Sequence, residues 1–213
     1  MKKGFTLAEV LVTLGIIGVV SAMTLPTLLK NHQRQVYVTQ LQKVYNELSQ
    51  AFEQVITDSN AVNLQESKYN QDAENFLRNY FKTTKICTGN SVQECFGSDY
   101  KNINGSQVRL RSFVGSGSNE NSTYGTSAIL ANGASLYITN QYIVVDINGK
   151  QGPNILGRDL FDIMADEHGN IIIEGTMDEA LSNFSTRCTS ATGATWYGAC
   201  LAKIINDGWK MDY

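Results

Sequence analysis

The sequence has few histidines, few prolines and no excess of positive charge. Its 213 residues include two histidines and two prolines, and the net charge is -3. A protein whose main partner is nucleic acid usually carries a basic patch and a high pI, whereas this chain has a pI of about 5.4. We therefore do not expect nucleic-acid binding. The local basic group of Lys101, Arg109 and Arg111 fits an edge-strand face better than a DNA groove.

The scarcity of histidine also argues against an enzyme. A hydrolase triad would need His32 or His168 as its base, and no Gly-x-Ser-x-Gly nucleophile turn accompanies either residue. Neither histidine has partners at zinc-ligand spacing, and the chain has no P-loop or dinucleotide-binding fingerprint. We therefore predict a protein that is not an enzyme.

Cysteine is scarce too, but its number is even. All four cysteines lie beyond residue 80, after an N-terminus that resembles an export signal. This pattern predicts two disulfides formed in an oxidising compartment, with reduced buried thiols as the alternative. Four cysteines allow three pairings, and the sequence alone does not choose among them. The spacings favour two local loops, one containing Cys87 and Cys95 and one containing Cys188 and Cys200.

Charge is almost absent from residues 5–29, where Glu9 is the only charged side chain. As a helix this segment is roughly 37 Å long, enough to cross a bilayer core of about 30 Å. Lys2 and Lys3 precede it, so the positive-inside rule places the N-terminus in the cytoplasm and the rest of the chain outside it.

Glu9 argues against two ordinary explanations of this segment. A cleaved secretory signal, with Val20-Ser21-Ala22 near the cut, and a plain signal anchor both leave the carboxylate unexplained. A carboxylate in hydrocarbon costs several kcal/mol unless it is paired, neutralised or at the interface. Glu9 is therefore expected to have a function and a cationic partner.

The stretch Gly4-Phe5-Thr6-Leu7-Ala8-Glu9 resembles the recognition site of type IV prepilins and type II secretion pseudopilins. The short basic leader before it, and Pro26 at the position of a helix-kinking proline, fit the same family. The resemblance implies that a prepilin peptidase cuts between Gly4 and Phe5 and methylates the new N-terminus. It also implies that Glu9 pairs with the Phe5 amine of a neighbouring subunit, because two charges that are each costly in a low dielectric are tolerated together. That pair would set the axial register of a filament.

The resemblance implies a function, partners and a location. We expect a structural subunit of a type IV filament, either a type II secretion pseudopilus or a type IV pilus. Its partners would be identical and homologous subunits, the prepilin peptidase, the inner-membrane assembly platform and, before assembly, the lipid bilayer. It would cross the bacterial inner membrane once, with a periplasmic or extracellular head. The alternative is a membrane-anchored extracytoplasmic binding or adhesion module that never polymerises, which has no need of Gly4 or Glu9.

The hydrophobic pattern predicts an α+β fold, and the resemblance implies the same with a pilin-like arrangement. Residues 1–4 form the leader, residues 5–29 a membrane-spanning or filament-core helix, and residues 30–57 its amphipathic continuation, with a bend at Pro26. Residues 58–213 form a head built on a mostly antiparallel sheet of about four to six strands, one face of which the helix covers. Within the head we expect helices over 72–82 and 199–206, strands over 107–114, 128–131, 134–139, 142–147, 160–165 and 171–174, loops over 87–106 and 115–123, and a type I′ turn at Asn132-Gly133.

One stretch has the residues of a cation site. Asp146-Ile147-Asn148-Gly149 opens as many calcium loops do, with oxygen-bearing side chains at alternate positions around a glycine turn. Position 12 of the loop is Gly157 rather than glutamate, so it is not an EF-hand. A looser calcium site formed by Asp146, Asn148 and Asp159 is one interpretation, and a tight turn in which these side chains bond their own backbone is the other. No other cofactor is expected.

Overall fold

The computed structural model describes residues 4, 6–115, 125–139, 142–192 and 198–213. The single long helix that the sequence predicts is α1, Leu7–Asp58. Thr6, which is extended, caps it: the Thr6 hydroxyl accepts the backbone N–H of Glu9 while the Glu9 carboxylate accepts the backbone N–H of Thr6. This capping box satisfies donors that a helix N-terminus otherwise leaves free. The helix is continuous through Pro26, and the bend there stays a prediction.

The two halves of α1 have opposite environments. From residue 7 to residue 29 its side chains are exposed, apart from a half-buried Ser21. From Tyr37 onward the apolar residues recur every three or four positions and are buried against the head, as an amphipathic helix requires. The buried residues of α1 are Tyr37, Val38, Leu41, Val44, Leu48, Ala51, Phe52 and Val55.

The head contains a six-stranded antiparallel sheet in which the strands are adjacent in chain order. Its strands are β1 (Thr83–Cys87), β2 (Thr126–Leu130), β3 (Ser135–Ile138), β4 (Ile143–Asp146), β5 (Leu160–Ala165) and β6 (Ile171–Ile172). Three further helices are α2 (Ala73–Tyr80), α3 (Met177–Ser182) and α4 (Gly198–Asn206). The α+β architecture is thus confirmed.

The sheet is covered on both faces because its side chains alternate. Leu136, Ile138 and Val145 point into a core shared with α1, α2 and α4. Tyr137 and Val144, their neighbours in sequence, point into a second core formed with the segment between residues 87 and 114. The expectation that the long helix covers one face is therefore confirmed, and the other face is covered by a segment with little regular structure.

Several local predictions were wrong. Residues 107–114 do not form a strand: Gln107 makes one isolated bridge to Lys101, and Leu110–Ser112 is a 3₁₀ helix. Their partial alternation instead buries Val108, Phe113 and Val114 in the second core. Arg109 and Arg111 accordingly lie at a 3₁₀ helix and not on an edge strand.

The hairpin at Asn132-Gly133 is present, but its turn is not type I′. A type I′ turn needs positive φ at both central residues, and here only Gly133 has it, at 93°. Leu130 and Ala134 are joined by a backbone hydrogen bond, so the loop has three residues, 131–133. The Asn132 side chain accepts the N–H of Ala134, a local bond that stabilises this longer loop.

Other elements have weaker sequence signals. The sequence did not indicate β1 or α3, and a short π-helical turn, Ser185–Thr189, follows α3. The strand expected over 171–174 is reduced to the two residues of β6. The expected loop over 115–123 lies outside the described residues except for Gly115.

Both disulfides close local loops. Cys87 bonds to Cys95, and Cys188 bonds to Cys200, which lies in α4. All four cysteines are fully buried, the first pair in the second core and the second pair in the core under α1. Gly157, in the loop between β4 and β5, packs directly on the second disulfide: a Cβ at this position would come within 2.2 Å of the Cys200 sulfur.

Loss of the second disulfide is expected to destabilise the head. The double substitution Cys188→Ser with Cys200→Ser should lower the free energy of unfolding by about 2–4 kcal/mol, because the bond restricts the unfolded chain and its removal disturbs a buried contact. Urea unfolding of the full chain in detergent measures this loss. Non-reducing peptide mapping of the native protein should find the two local pairs, and any cross-pair would contradict the structure.

Candidate functional site

The N-terminal site is arranged around the Glu9 carboxylate. Its Oε2 atom accepts two hydrogen bonds from Thr6, one from the backbone N–H and one from the hydroxyl, each at 2.8 Å. Gly4, Thr6 and Glu9 are all exposed, and Phe5 lies outside the described residues. A single copy of the chain therefore satisfies this carboxylate within its own first helical turn, and the carboxylate is open to a further partner.

The helix that follows this site exposes a long apolar surface. Leu7 and Met23 are 78% and 73% exposed, and the large aliphatic residues between them are exposed by more than two fifths. The hydroxyls of Thr13 and Thr24 donate to carbonyls one turn earlier, so they bring no unsatisfied polar group to this surface. No Cβ built on Gly15 or Gly18 would meet another atom within 4 Å, so the chain itself leaves that side of the helix uncovered.

α1 is long and apolar enough to cross a membrane, and its most apolar part is unburied. By itself this is a weak criterion, because the core helix of a soluble protein or a signal sequence also meets it. Here the core-helix explanation fails for the first half, which packs on nothing in the described chain. The first half needs either lipid or other helices around it.

The second candidate site is the loop between β4 and β5, which we call the β4–β5 loop (residues 147–159). The structure brings together Asp146, Asn148 and Asp159, the three residues that the sequence singled out. The side chain of Asn148 reaches Asp159, with its Nδ2 atom 3.4 Å from Asp159 Oδ2. The backbone N–H of Asn148 donates to Asp146 Oδ1 at 3.2 Å. The loop is closed at its base by a backbone bond from Ile147 to Asp159.

Both carboxylates are fully buried and are held by hydrogen-bond donors. Tyr100 donates its hydroxyl to Asp146 Oδ2 at 2.5 Å. Asp159 accepts the backbone N–H groups of Asn154, at 2.7 Å, and Ile155, at 2.5 Å. The local-turn interpretation is therefore correct as far as it goes, because much of the bonding is to the loop's own backbone. Tyr100 is a partner that the sequence did not indicate, since it lies 46 positions from Asp146.

Burial disfavours the ionised form of both carboxylates, and the Asp159 carboxylate adds to this effect at Asp146. Burial, and then the neighbouring Asp159 carboxylate, raise the pKa of Asp146 well above its ordinary value. Burial raises the pKa of Asp159 to about 6, although the N–H groups of Ile155 and Asn154 act in the opposite direction. Burial and the adjacent Asp146 also raise the pKa of Tyr100, so its hydroxyl remains a donor. The Asp159 carboxylate thus disfavours the ionised form of its neighbour Asp146.

Neither histidine joins a site in the described chain. His32 is exposed on α1, and His168 is exposed in the turn between β5 and β6. Across the described ranges, no three His, Cys, Asp or Glu side chains come together in a way that could hold a metal ion. The calcium prediction therefore depends on amide and carbonyl oxygens beside the two carboxylates, and it stays a prediction at this point.

Comparison with known proteins gives one finding. Residues 1–25 match the family model of the prokaryotic N-terminal methylation motif. This motif is the prepilin-type cleavage and methylation segment of type IV pilin-like proteins. No curated protein and no solved structure matches the chain.

The match confirms the resemblance that residues 4–9 indicate. The chain carries a prepilin-type segment ahead of a long apolar helix and a six-stranded antiparallel head, an α+β pilin-like architecture. The motif supports a type IV pilin-like substrate of prepilin peptidase. The single apolar helix is consistent with membrane anchoring.

Tyr100→Phe tests the support of the buried pair. The substitution leaves Asp146 Oδ2 without its hydroxyl donor, and an unsatisfied buried acceptor costs about 1–3 kcal/mol, so the free energy of unfolding should fall by that amount. Tyr80→Phe is the matched control, because that hydroxyl donates to the exposed carboxylate of Asp58. Chemical denaturation should show a much smaller loss for the control. If both substitutions lowered the free energy of unfolding equally, the buried Tyr100–Asp146 bond would be no more stabilising than the exposed Tyr80–Asp58 bond.

Proposed function

We propose that this protein is a structural subunit of a type IV filament, made as an inner-membrane prepilin and assembled through α1. The observation that carries the proposal is the combination of a matched methylation motif with a helix whose first half is bare. The motif supplies a processing signal, and the bare half supplies a surface that must be covered first by lipid and then by other subunits. A type II secretion pseudopilus and a type IV pilus both fit this description.

Processing at Gly4 fits the local backbone. Thr6 is extended and α1 begins only at Leu7, so the bond between Gly4 and Phe5 precedes the helix. A peptidase needs an unfolded segment to reach a peptide bond, and the helical part of the chain would not offer one. Cleavage here would remove the leader and create an α-amino group on Phe5, a cation that can pair with Glu9 of a neighbouring subunit.

In the assembled filament, Glu9 would exchange its hydrogen bonds to Thr6 for a bond to the charged Phe5 amine of a neighbouring subunit. In the single chain the carboxylate holds two donors from Thr6, both neutral. A charged amine, unlike the neutral Thr6 donors, cancels the charge of the carboxylate in a low dielectric. Stacked helices would therefore favour the axial position at which the amine of one subunit meets Glu9 of the next. The small residues Ala8, Gly15 and Gly18 allow the helices to approach closely.

The head would lie on the far side of the membrane from the N-terminus. Lys2 and Lys3 favour a cytoplasmic N-terminus, and both disulfides fit an oxidising compartment for the head. In the filament, the heads would make lateral contacts around a core of α1 helices. The further partners of the proposal are the prepilin peptidase and the inner-membrane assembly platform.

Intact-mass and N-terminal analysis of the chain from its native membrane fraction is the first test. The expected mature form begins at N-methyl-Phe5. A chain that begins at Met1 would mean that the signal is not used, and one that begins at Met23 would indicate a cleaved secretory signal. Either result would contradict the filament proposal.

Replacement of Glu9 tests the assembly step separately from processing. In Glu9→Ala the Phe5 amine of the neighbour has no counter-charge, so the filament fraction released by shearing should fall at least about tenfold while the membrane level of the protein stays the same. Glu53→Ala is the control, because Glu53 is exposed on the same helix beyond the apolar half. A membrane-anchored module that never polymerises would give no filament fraction in the unmodified protein either. Wild-type amounts of filament from Glu9→Ala would exclude the register role.

A further inference from the structure

The second half of α1 has its charged residues sorted by sign along the helix. Residues 30–46 contain three lysine or arginine side chains and no acidic one, whereas residues 47–58 contain three acidic side chains and no basic one. In chain order, these six residues are Lys30, Arg34, Lys43, Glu47, Glu53 and Asp58. The helix is therefore positive where it leaves its exposed apolar half and negative at its C-terminal end.

Helix stability does not account for this order. The C-terminal end of an α-helix carries a partial negative charge, which favours basic side chains in the last turn. The last turn of α1 has no basic residue, and it contains Asp58 instead. Because the negative end disfavours the helix itself, we infer that the charge order serves the surroundings of α1.

Other segments add negative charge around the C-terminal end of α1. The N–H of Leu64 donates to the carbonyl of Glu167, and the hydroxyl of Tyr80 donates to Asp58, so the loop after α1, the β5–β6 turn and α2 meet there. These segments contain two lysine or arginine residues against five acidic ones, which are Glu66, Asp72, Glu74, Asp166 and Glu167. We call this end of the head the acidic end.

The opposite end of the head, which contains Lys30 and Arg34 and which we call the basic end, adjoins the apolar half of α1. At a rise of about 1.5 Å per residue, Lys30 and Arg34 lie about 2 Å and about 8 Å beyond residue 29 along the helix. The headgroup region of a bilayer is about 5–7 Å thick on each side. The two residues also lie on the same face of α1, because they are four positions apart.

The described chain gives neither of these two cations a side-chain carboxylate as a partner. Lys30 is exposed and belongs to no ion pair among the described residues. Arg34 is half-buried, and its guanidinium donates to the main-chain oxygen of Tyr213 at 2.9 Å. Long basic side chains near the end of a membrane helix extend their charged groups to the headgroup layer. Two cations are thus available at the level of lipid phosphates.

We propose that the basic end binds the phosphate groups of anionic phospholipids through Lys30 and Arg34, while the acidic end points away from the same bilayer. A negatively charged membrane surface attracts basic residues next to a membrane segment, and it repels acidic ones. The sorted charges would thereby hold the head upright over the membrane before assembly. The proposal rests on the proposed function in one respect, namely that α1 spans a bilayer.

A bilayer fits the basic end better than the acidic end of a second copy does. Both partners carry the complementary charge. Lys30, however, directly follows the apolar half of α1, so lipid phosphates lie within its reach in every membrane-bound copy. A second copy would reach Lys30 only after assembly.

Lipid competition followed by native mass spectrometry tests the proposal. The full-length chain in detergent is mixed with equal amounts of phosphatidylglycerol, which is anionic, and phosphatidylcholine, which has no net charge, and the bound lipids are counted. Lys30→Glu should lower the ratio of bound phosphatidylglycerol to bound phosphatidylcholine at least about fivefold, because each basic residue near an anionic surface contributes about that factor to binding. Lys30→Arg keeps the positive charge and should keep the ratio.

Lys43→Glu is the matched control for Lys30→Glu. It makes the same change of charge on the same helix, and Lys43 is likewise exposed and in no ion pair among the described residues. Lys43 lies about 20 Å farther along α1, which exceeds the Debye length of about 8 Å at physiological ionic strength. Its substitution should therefore leave the lipid ratio unchanged. Lys2 and Lys3 are the same in both variants, so they do not contribute to the difference.

The outcomes separate this proposal from the proposed function. Equal lipid ratios for Lys30→Glu, Lys43→Glu and the unmodified chain would overturn the lipid contact and leave the filament proposal intact. Unchanged ratios together with a lower filament yield from Lys30→Glu would assign the basic end to the acidic end of a second copy, and would also overturn it. An unmodified chain that is absent from the membrane fraction would contradict both proposals.

Discussion

The rest of the structure depends on the packing of the second half of α1 on one face of the sheet. Its apolar stripe, from Tyr37 to Val55, is buried against side chains of β2 to β5 and of α2 and α4. A helix of this kind gains its stability from burying an amphipathic face and not from intrinsic propensity. The same helix continues without interruption from the head into its exposed first half. A single element therefore contributes both to the core of the head and to a long exposed apolar surface.

The C-terminal region strengthens this attachment at the point where α1 leaves the head. Arg34 donates to the backbone carbonyl of Tyr213, and Trp209 packs edge-on against Tyr45, so the last residues are joined to two turns of the helix. The Tyr213 hydroxyl then donates to the carbonyl of Gly157, in the β4–β5 loop. These contacts, together with the Cys188–Cys200 bond beside Gly157, connect the helix, the C-terminal tail and the β4–β5 loop in one continuous network.

How far the sequence predicts this molecule follows from the range of the interactions concerned. Features set by local residue order were predicted well: the span of α1, the helices near residues 72–82 and 199–206, the antiparallel sheet and the position of the hairpin loops. Two failures were local, the turn type at Asn132-Gly133 and the missed helix α3, whereas others involve contacts distant in sequence. The segment 107–114 alternates like a strand, but it does not pair with an edge of the described sheet. It packs instead in the second core, on the face of the sheet opposite α1. The N-terminal motif was found from local order alone, whereas the partner of Asp146 at Tyr100 was out of reach because the fold, and not the spacing, brings them together.

The two candidate sites share one physical problem, a carboxylate held by neutral donors, but they meet it at different stages. Glu9 is a carboxylate placed where a charge becomes costly once lipid or other helices surround it, and in the single chain it is held by neutral donors one turn away. Asp146 and Asp159 are carboxylates that folding itself has already buried, and they too are held by neutral donors. Neutral donors offset only part of the cost of removing a carboxylate from water. Under the proposed function, the cation that would complete the Glu9 site is the α-amino group created by cleavage, so assembly would depend on processing. The buried pair in the head has no such route, and its neutral donors must offset the cost of burial by themselves.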